Sequence, residues 1–130
     1  IKFNSLNNNK FEFVKGDEEQ LNRVFINLIK NSIESINEKK SKNVDFKGKI
    51  DIEIKEDSDY IYVTIIDNGI GFDLVDKNKM LTPYFTTKKK GTGLGLAIVT
   101  KVISDHKSTI VFNSIKNGAK VEITLPKYYV

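Results

Sequence analysis

The fold is decided by one strand and the turn after it, Ile61–Gly71, with the sequence IYVTIIDNGIG. Aliphatic residues alternate along its first part, which is the two-residue period of a strand with one buried face. Asp67 ends this run, so a carboxylate is fixed at a strand end, and Gly69 and Gly71 let the backbone approach a flat ring closely. An ionised aspartate only accepts hydrogen bonds and the exocyclic amino group of adenine only donates them, so Asp67 is predicted to bind adenine. In isolation, the same residues would also suit a plain β-turn.

A second segment places two asparagines, Asn27 and Asn31, one turn apart on a predicted helix. Their amides therefore project from the same edge of that helix. Magnesium prefers oxygen ligands and bridges substrate phosphates, so neutral amide oxygens suffice when a triphosphate supplies the negative charge. A solvated helix edge is the alternative, but asparagine is a poor helix former, and Asn27 lies among apolar residues. The pair predicts a Mg²⁺ site.

A third segment, Gly91–Gly95, has the sequence GTGLG and immediately precedes a second helical pattern. Amides exposed at a helix start, together with the helix dipole, suit a polyphosphate, and the hydroxyl of Thr92 adds a donor. The spacing matches neither the Rossmann fingerprint nor the Walker motif. A flexible hinge is the alternative and is compatible with binding. Of the lysines Lys88–Lys90 just upstream, Lys88 is favoured as the contact to a γ-phosphate, although a solvated charge run is the usual explanation.

The three segments occur in an order that describes one pocket for magnesium, adenine and a triphosphate. The chain is therefore predicted to be an ATP-binding domain. Between Gly71 and Gly91, residues 72–90 lose all periodicity, which is typical of a functional or mobile connection. We expect this stretch to be the lid of the nucleotide site.

Composition indicates one domain over residues 1–130, because 130 residues with 39% hydrophobic content supply one core. The chain has no apolar run of roughly 20 residues and no signal-peptide pattern. It has no cysteine, so a cytoplasmic location is expected, while inner-membrane anchoring of the parent protein stays open. The formal charge is +4, but Arg23 is the only arginine and the lysines are scattered, which argues against nucleic-acid binding. No contact of this domain with a membrane is expected.

Periodicity predicts the order strand, helix, two strands, lid, helix, two strands. Helices on one face of a mixed, mainly antiparallel sheet make the expected fold class α+β, a two-layer α/β sandwich. The predicted elements are a strand through Phe11 and Phe13, a helix from Asp17 to Glu38, a loop at 39–48, a hairpin at 50–54 and 61–66, a helix from Leu94 to His106, and a hairpin at 109–113 and 120–125.

Four stretches of the chain resemble the motifs of sensor histidine kinases, in family order. The helix 21–36 resembles the N box, Asp67–Gly71 the G1 box, Thr82–Lys88 (TPYFTTK) the F box, and Gly91–Val99 (GTGLGLAIV) the G2 box. The F-box wording is most similar to the nitrogen-regulation branch. The resemblance implies the Bergerat-type ATP-binding fold that these kinases share with gyrase, the heat-shock chaperone ATPase and the MutL repair protein.

The resemblance also implies roles for individual residues and for partners. Asn27 and Asn31 would hold Mg²⁺, with Asn27 and Lys88 taking part in catalysis, and Asp67 would bind adenine. Phe85 would anchor the lid. The remaining residues implied in nucleotide binding are Gly69, Gly71, Thr87, Gly91, Thr92, Gly93, Leu94 and Gly95. The γ-phosphate of ATP would go to a histidine on a dimerisation/phosphoacceptor domain of the same parent protein, and a response regulator would act downstream.

The chain departs from the family pattern in three places. Glu34 stands where many of these kinases have a lysine, so a phosphate contact must come from elsewhere. His106–Ser108 reads HKS where the family often has His-Gly-Gly, so a less tight turn is expected. The single histidine, His106, lacks the pattern of a phosphoacceptor and is expected to be structural or solvated.

The alternatives are a conformational ATPase of the gyrase or chaperone kind, or a non-catalytic ATP-binding module. The ATPases carry a glutamate base at the position of Asn27, and an amide cannot take a proton from water.

Overall fold

The structure is a computed structural model that describes residues 2–6, 16–71 and 95–127. Two helices and five strands lie within these ranges, and the α+β fold class predicted from the sequence is confirmed. In chain order, the elements are β1 (Lys2–Leu6), α1 (Glu18–Lys42), β2 (Lys49–Glu56), β3 (Tyr60–Asp67), α2 (Gly95–Asp105), β4 (Thr109–Ile115) and β5 (Gly118–Pro126).

The strands form one mixed sheet in the order β1-β2-β3-β5-β4. β1 is parallel to β2, and the other three pairings are antiparallel. The two predicted hairpins are therefore present, and their central strands β3 and β5 pair side by side. β1 was not predicted, because its sequence KFNSL is short and its pairing with β2 depends on tertiary structure. The strand predicted through Phe11 and Phe13 lies outside the described residues.

Helix α1 begins where the sequence predicted but runs further. Asp17 is the N-cap, and its side chain accepts a hydrogen bond from the backbone N–H of Gln20 at 3.0 Å. The helix continues to Lys42, so the predicted loop is wrong in its first turn, Lys39–Lys42. Lysine is a good helix former and is favourable at the negative end of the helix dipole, which accounts for the extension.

The core lies between the two helices and one face of the sheet. The strand β3 shows the expected alternation, with Ile61, Val63 and Ile65 buried and the residues between them partly exposed. The most completely buried large side chains are Ile36, Ile50, Ile103, Ile123, Val24 and Val99. They come from α1, β2, α2 and β5, so each of these elements is fixed against the others by apolar burial.

The end of α2 is closed by a tight turn, which corrects the expectation of a looser one. The backbone N–H of Ser108 donates to the carbonyl of Ile103 at 3.0 Å, and that of Lys107 donates to Ser104 at 3.0 Å. This is the Schellman pattern. Lys107 takes φ +55, the left-handed conformation that glycine adopts without a steric penalty. The turn therefore forms without glycine, at a cost in backbone strain.

His106 joins the end of α2 to the beginning of α1. Its Nε2 accepts the backbone N–H of Asp17 at 2.9 Å, and its Nδ1 lies 2.8 Å from the carbonyl oxygen of Val102. Because Nε2 accepts, Nδ1 carries the proton and donates to Val102. Both ring nitrogens are thus used in holding two helix ends together, which supports the structural role expected for this histidine.

Candidate functional site

Asp67 is the last residue of β3 and is 6% exposed. Its Oδ1 accepts the backbone N–H of Gly69 at 2.9 Å, as an Asp at the start of such a turn is suited to do. Its carboxylate also accepts hydrogen bonds from the Ser32 side chain on α1 and from the backbone of Ala119 on β5. Three elements therefore fix the orientation of one carboxylate.

Burial raises the pKa of the Asp67 carboxyl above its ordinary value of 3.8. The hydrogen bonds from Gly69, Ser32 and Ala119 and the positive charge of Lys39 act in the opposite direction, but burial is the largest influence. A buried carboxylate with several donors already in place is a strong acceptor held in one direction. That is the chemistry required to accept a hydrogen bond from an amino group on a ligand.

The two glycines of the turn are both required by its geometry. Gly69 is buried, and a Cβ there would overlap the side chain and backbone of Ser35 on α1. Gly71 has φ +80, and a Cβ there would lie 2.7 Å from the carbonyl oxygen of Gly118. Gly118 itself packs against the carbonyl oxygen of Asp67. The predicted turn thus has backbone on several sides and no room for side chains at these positions.

Helix α1 makes further polar contacts to this turn that sequence reasoning missed. Ser35 Oγ accepts the backbone N–H of Ile70 at 2.9 Å, and Lys39 Nζ donates to the carbonyl oxygen of Asn68 at 3.1 Å. The sequence analysis placed Lys39 in a loop and assigned no role to Ser32 or Ser35. The available signal was a pair of serines, Ser32 and Ser35, inside an apolar helical stripe, because buried hydroxyls need partners.

Asn27 and Asn31 are half-buried on α1. Asn27 lines an open groove between the first half of α1 and the first turn of α2, where Ile26 and Ile98 are exposed. The other groove residues are Asp17, Glu18, Glu19, Asn22, Arg23 and Lys30. Residues 2–6, 16–71 and 95–127 contain no cluster of three His, Asp or Glu side chains suited to a metal. Two amide oxygens without a carboxylate cluster fit a magnesium ion that arrives with phosphate, since the phosphate then carries the charge.

Several predicted site residues lie outside the described residues. They are the lid, 72–90, with Phe85, Thr87 and Lys88, and the phosphate loop residues Gly91, Thr92, Gly93 and Leu94. Gly95 is described and is the first residue of α2. The predicted phosphate loop therefore leads directly into the helix whose Ile98 shares the groove with Asn27. Asn27, one member of the predicted metal pair, therefore lines the same groove as the first turn of the helix that follows the predicted phosphate loop, whereas Asn31 is not among the residues that line it.

The chain matches, over residues 16–129, the family model described as "Histidine kinase-, DNA gyrase B-, and HSP90-like ATPase". The chain belongs to this family. ATP is the nucleotide that the family implies, in agreement with the sequence prediction.

Relatives place the chain among the sensor histidine kinases of this family. It is 39% identical over 116 residues to Sporulation kinase A of Bacillus subtilis, covering 88% of the chain and 18% of that protein. It is 36% identical over 111 residues to Nitrogen regulation protein NtrY of Azorhizobium caulinodans, covering 84% of the chain and 14% of that protein. The predicted resemblance, including that to the nitrogen-regulation branch, is confirmed. The chain spans less than a fifth of the length of either protein.

A solved structure confirms the same fold. A nucleotide-free catalytic domain of histidine kinase ThkA matches with a TM-score of 0.81 at 31% identity, covering 97% of this chain and 80% of that one. Across the part of the chain that the structure describes, neither helix has the length and apolar character needed to cross a membrane.

Proposed function

We propose that this domain binds Mg-ATP and donates the γ-phosphate to a histidine on a dimerisation/phosphoacceptor domain outside this chain, as the catalytic domain of a two-component sensor kinase. A response regulator would then receive the phosphate from that histidine. The similarity to Sporulation kinase A, to Nitrogen regulation protein NtrY and to the catalytic domain of histidine kinase ThkA supports this assignment.

The observation that carries the proposal is the buried Asp67 carboxylate at the end of β3. The backbone amides of Gly69 and Ala119 and the hydroxyl of Ser32 hold the carboxylate, which leaves acceptor capacity for one more donor. The exocyclic amino group of adenine is such a donor, whereas guanine presents a carbonyl at the equivalent ring position. The glycine turn lets a flat base approach the backbone.

We assign magnesium and the phosphates to the first half of α1, beside the open groove. Asn27 and Asn31 supply neutral oxygen ligands, and Gly91–Gly95 supplies amides, with Lys88 as a cation toward the γ-phosphate. When bound, magnesium would neutralise the phosphate charge that develops during transfer. Phosphoryl transfer needs chiefly positioning and charge neutralisation, so these groups suffice when the incoming imidazole is the nucleophile.

A conformational ATPase is disfavoured by the residue at position 27. Hydrolysis needs a base to take a proton from water, and the Asn27 amide cannot do so. The chain is thus suited to hold ATP until a nucleophile from another domain arrives.

Transfer of labelled phosphate tests the assignment. Incubated with γ-labelled ATP, this chain should stay unlabelled until the dimerisation domain of the parent protein is added, whereupon that domain should become labelled on histidine. Stable label on His106, or rapid release of phosphate by the chain alone, would favour the ATPase class instead.

The magnesium assignment is tested separately with Asn31→Ala. Calorimetric titration with ADP should show a loss of affinity in magnesium that is absent in EDTA. Asn37→Ala, an exposed asparagine on the same helix, is the matched control and should bind like the unaltered chain. Equal magnesium dependence in the two variants would remove Asn31 from the metal site.

A further inference from the structure

The Asp67 turn is held by three polar residues on one face of α1. Ser32 donates to the Asp67 carboxylate, Ser35 accepts from the N–H of Ile70, and Lys39 donates to the Asn68 carbonyl. The spacings of three and four residues place these side chains above one another on the helix. Each of the three contacts a different residue of the turn, so this face of α1 binds the turn at three points.

Lys39 is the least expected member of this set, since a lysine near a helix end usually extends into water. Here it lies one turn before the end of α1, and its Nζ is 4.7 Å from the centre of the Phe46 ring. From that position Nζ donates to Asn68 O at 3.1 Å, with Gly69 O at the longer distance of 3.5 Å. A cation over an aromatic face is held in place by the ring quadrupole, so the ammonium is fixed beside the turn.

The Asn68 carbonyl and the Gly69 N–H belong to the same peptide group. Lys39 binds the oxygen of this group, and Asp67 Oδ1 accepts its N–H at 2.9 Å. A line of hydrogen bonds therefore runs from the ammonium through one peptide to the carboxylate. Chains of hydrogen bonds polarise one another, so a cation on the carbonyl strengthens the N–H that orients Asp67.

The opposite side of the turn is fixed by the start of β2. The Asn68 side chain accepts the N–H of Lys49 at 2.7 Å and donates to the Lys47 carbonyl at 3.0 Å. These bonds fix the position of residue 68 but do not touch its carbonyl. The oxygen of the peptide between residues 68 and 69 is thus held from the α1 side, by Lys39, while Asp67 holds the N–H of the same peptide.

We propose that Lys39 is a positioning residue for base recognition, acting on Asp67 through the peptide group between Asn68 and Gly69. This inference rests on the proposed function, because it assumes that Asp67 binds adenine. It assigns Lys39 no contact with the nucleotide and none with the phosphates.

The charge of Lys39 also helps to keep Asp67 ionised and therefore able to accept a hydrogen bond. It lowers the pKa of Asp67 against the larger effect of burial, and among residues 2–6, 16–71 and 95–127 it is the charged group that acts on this carboxyl. Ser32, Gly69 and Ala119 contribute neutral donors. Without Lys39 the carboxylate is both less firmly oriented and more readily protonated.

The test compares Lys39→Met, Lys39→Arg and Lys40→Met by calorimetric titration with ADP, GDP and tripolyphosphate. Methionine keeps an unbranched stem and removes the charge and donors, arginine restores both, and Lys40 is an exposed neighbour on the same helix. We expect Lys39→Met to weaken ADP binding about tenfold, the scale of one charge-assisted hydrogen bond, and to reduce the preference for ADP over GDP. Tripolyphosphate should bind all variants equally. Arginine should restore most of the loss, and Lys40→Met should show none.

A pH series adds a readout that a general loss of stability would not move. In Lys39→Met, the fall of ADP affinity with decreasing pH should begin at a higher pH than in Lys39→Arg, because Asp67 lacks its nearby cation. If the unaltered chain binds ADP no better than GDP, the proposed function fails. If it discriminates and Lys39→Met does so equally well with an unchanged pH profile, the assignment of Lys39 is wrong. An equal loss for tripolyphosphate would also overturn it.

Discussion

The two ends of helix α1 are built in different ways. Toward its C-terminal end, Ser32, Ser35 and Lys39 all bond to the turn after β3, which is closed on its other sides by Gly118 and the start of β2. Toward its N-terminal end, Asn27 lines an open groove with exposed charged residues and exposed Ile26. The C-terminal part of α1 is thus packed against the backbone of the turn, whereas the N-terminal part presents exposed side chains to the groove.

This difference matches the two halves of a nucleotide. A base is rigid and nearly uncharged, so a site can be preorganised for it before binding. A triphosphate with magnesium brings its own charge and ligands, so the protein needs only oxygen donors in an open place. The residues proposed to contact the base, Asp67, Gly69 and Gly71, therefore all lie in the described chain, whereas the proposed phosphate end depends on what binds there.

The largest effect should follow from crowding the packed end. Gly118→Ala puts a methyl group onto the Asp67 carbonyl oxygen, which neither β5 nor the turn can avoid without moving. We expect the free energy of unfolding to fall by about 2–3 kcal/mol, measured by urea denaturation. Ile26→Ala, 54% exposed in the groove, is the control and should change stability by less than about 0.5 kcal/mol. Similar values for the two would mean that the ends do not differ in packing.

The next effect concerns Asp67 itself and has opposite signs for binding and for stability. Asp67→Asn should weaken ADP binding roughly tenfold or more, because a charge-assisted acceptor is lost. Burial raises the pKa of Asp67 above 3.8, so the folded chain binds this proton more tightly than the unfolded chain. As pH rises through that window, the contribution of Asp67 to stability is lost while ADP affinity increases.

Calorimetry and urea denaturation between pH 3.5 and 7 check both directions, with these limits chosen to bracket roughly the range in which carboxyl groups titrate. In Asp67→Asn, the loss of stability and the gain of ADP affinity that Asp67 causes as pH rises should both be absent. Asp59→Asn, an exposed residue in the turn before β3, is the matched control and should retain both. A variant at position 67 that bound ADP like the unaltered chain would mean that the base is recognised elsewhere.

A moderate effect on stability is expected where His106 connects the end of α2 to the beginning of α1. His106→Ala removes the acceptor for the Asp17 N–H and the donor to Val102. The free energy of unfolding should fall by about 1–2 kcal/mol, as measured by thermal or urea denaturation. ADP affinity should stay the same, because the ring contacts helix ends and not the Asp67 turn. A change in affinity without a change in stability would contradict a purely structural role.

The smallest effect has the opposite sign. Lys107→Gly relieves a left-handed residue at φ +55 and should raise the free energy of unfolding by about 0.5–1 kcal/mol. The matched control is Lys101→Gly, in the middle of α2, which should lower it by about 1 kcal/mol. If both glycines destabilise equally, the turn at 106–108 is not strained by its lysine.

Sequence reasoning succeeded where local signals and tertiary structure agree. The alternation of β3, the Asp67 turn and the helix start at Asp17 are each visible within a few residues, and all three appear in the structure. The place of the Asp67 carboxylate at the end of β3 could be predicted because strand and turn signals are adjacent in the sequence. The binding of adenine by Asp67 stays a prediction.

It failed where contacts come from distant elements. Lys39 looked like a loop residue, since its partners at Asn68 and Phe46 are known only once α1 packs on the sheet. Gly118 lies between the two strands of the last predicted hairpin, and that local position gives no sign that it packs against the carbonyl of Asp67. Strand β1 lacked a clear pattern because its stability comes from pairing with β2.

The pairing of β3 with β5 has a consequence for the order of folding. Each hairpin, β2–β3 and β4–β5, closes a short loop, but Asp67 meets Ala119 only when the two hairpins dock across the intervening residues. Non-local pairing of this kind forms late, since the entropy of closing a long loop opposes it. A chain with both hairpins formed but not docked would lack the Ala119 and Gly118 side of the proposed base site. Nucleotide should therefore bind and stabilise only the fully assembled sheet, which increases the population of the completed fold.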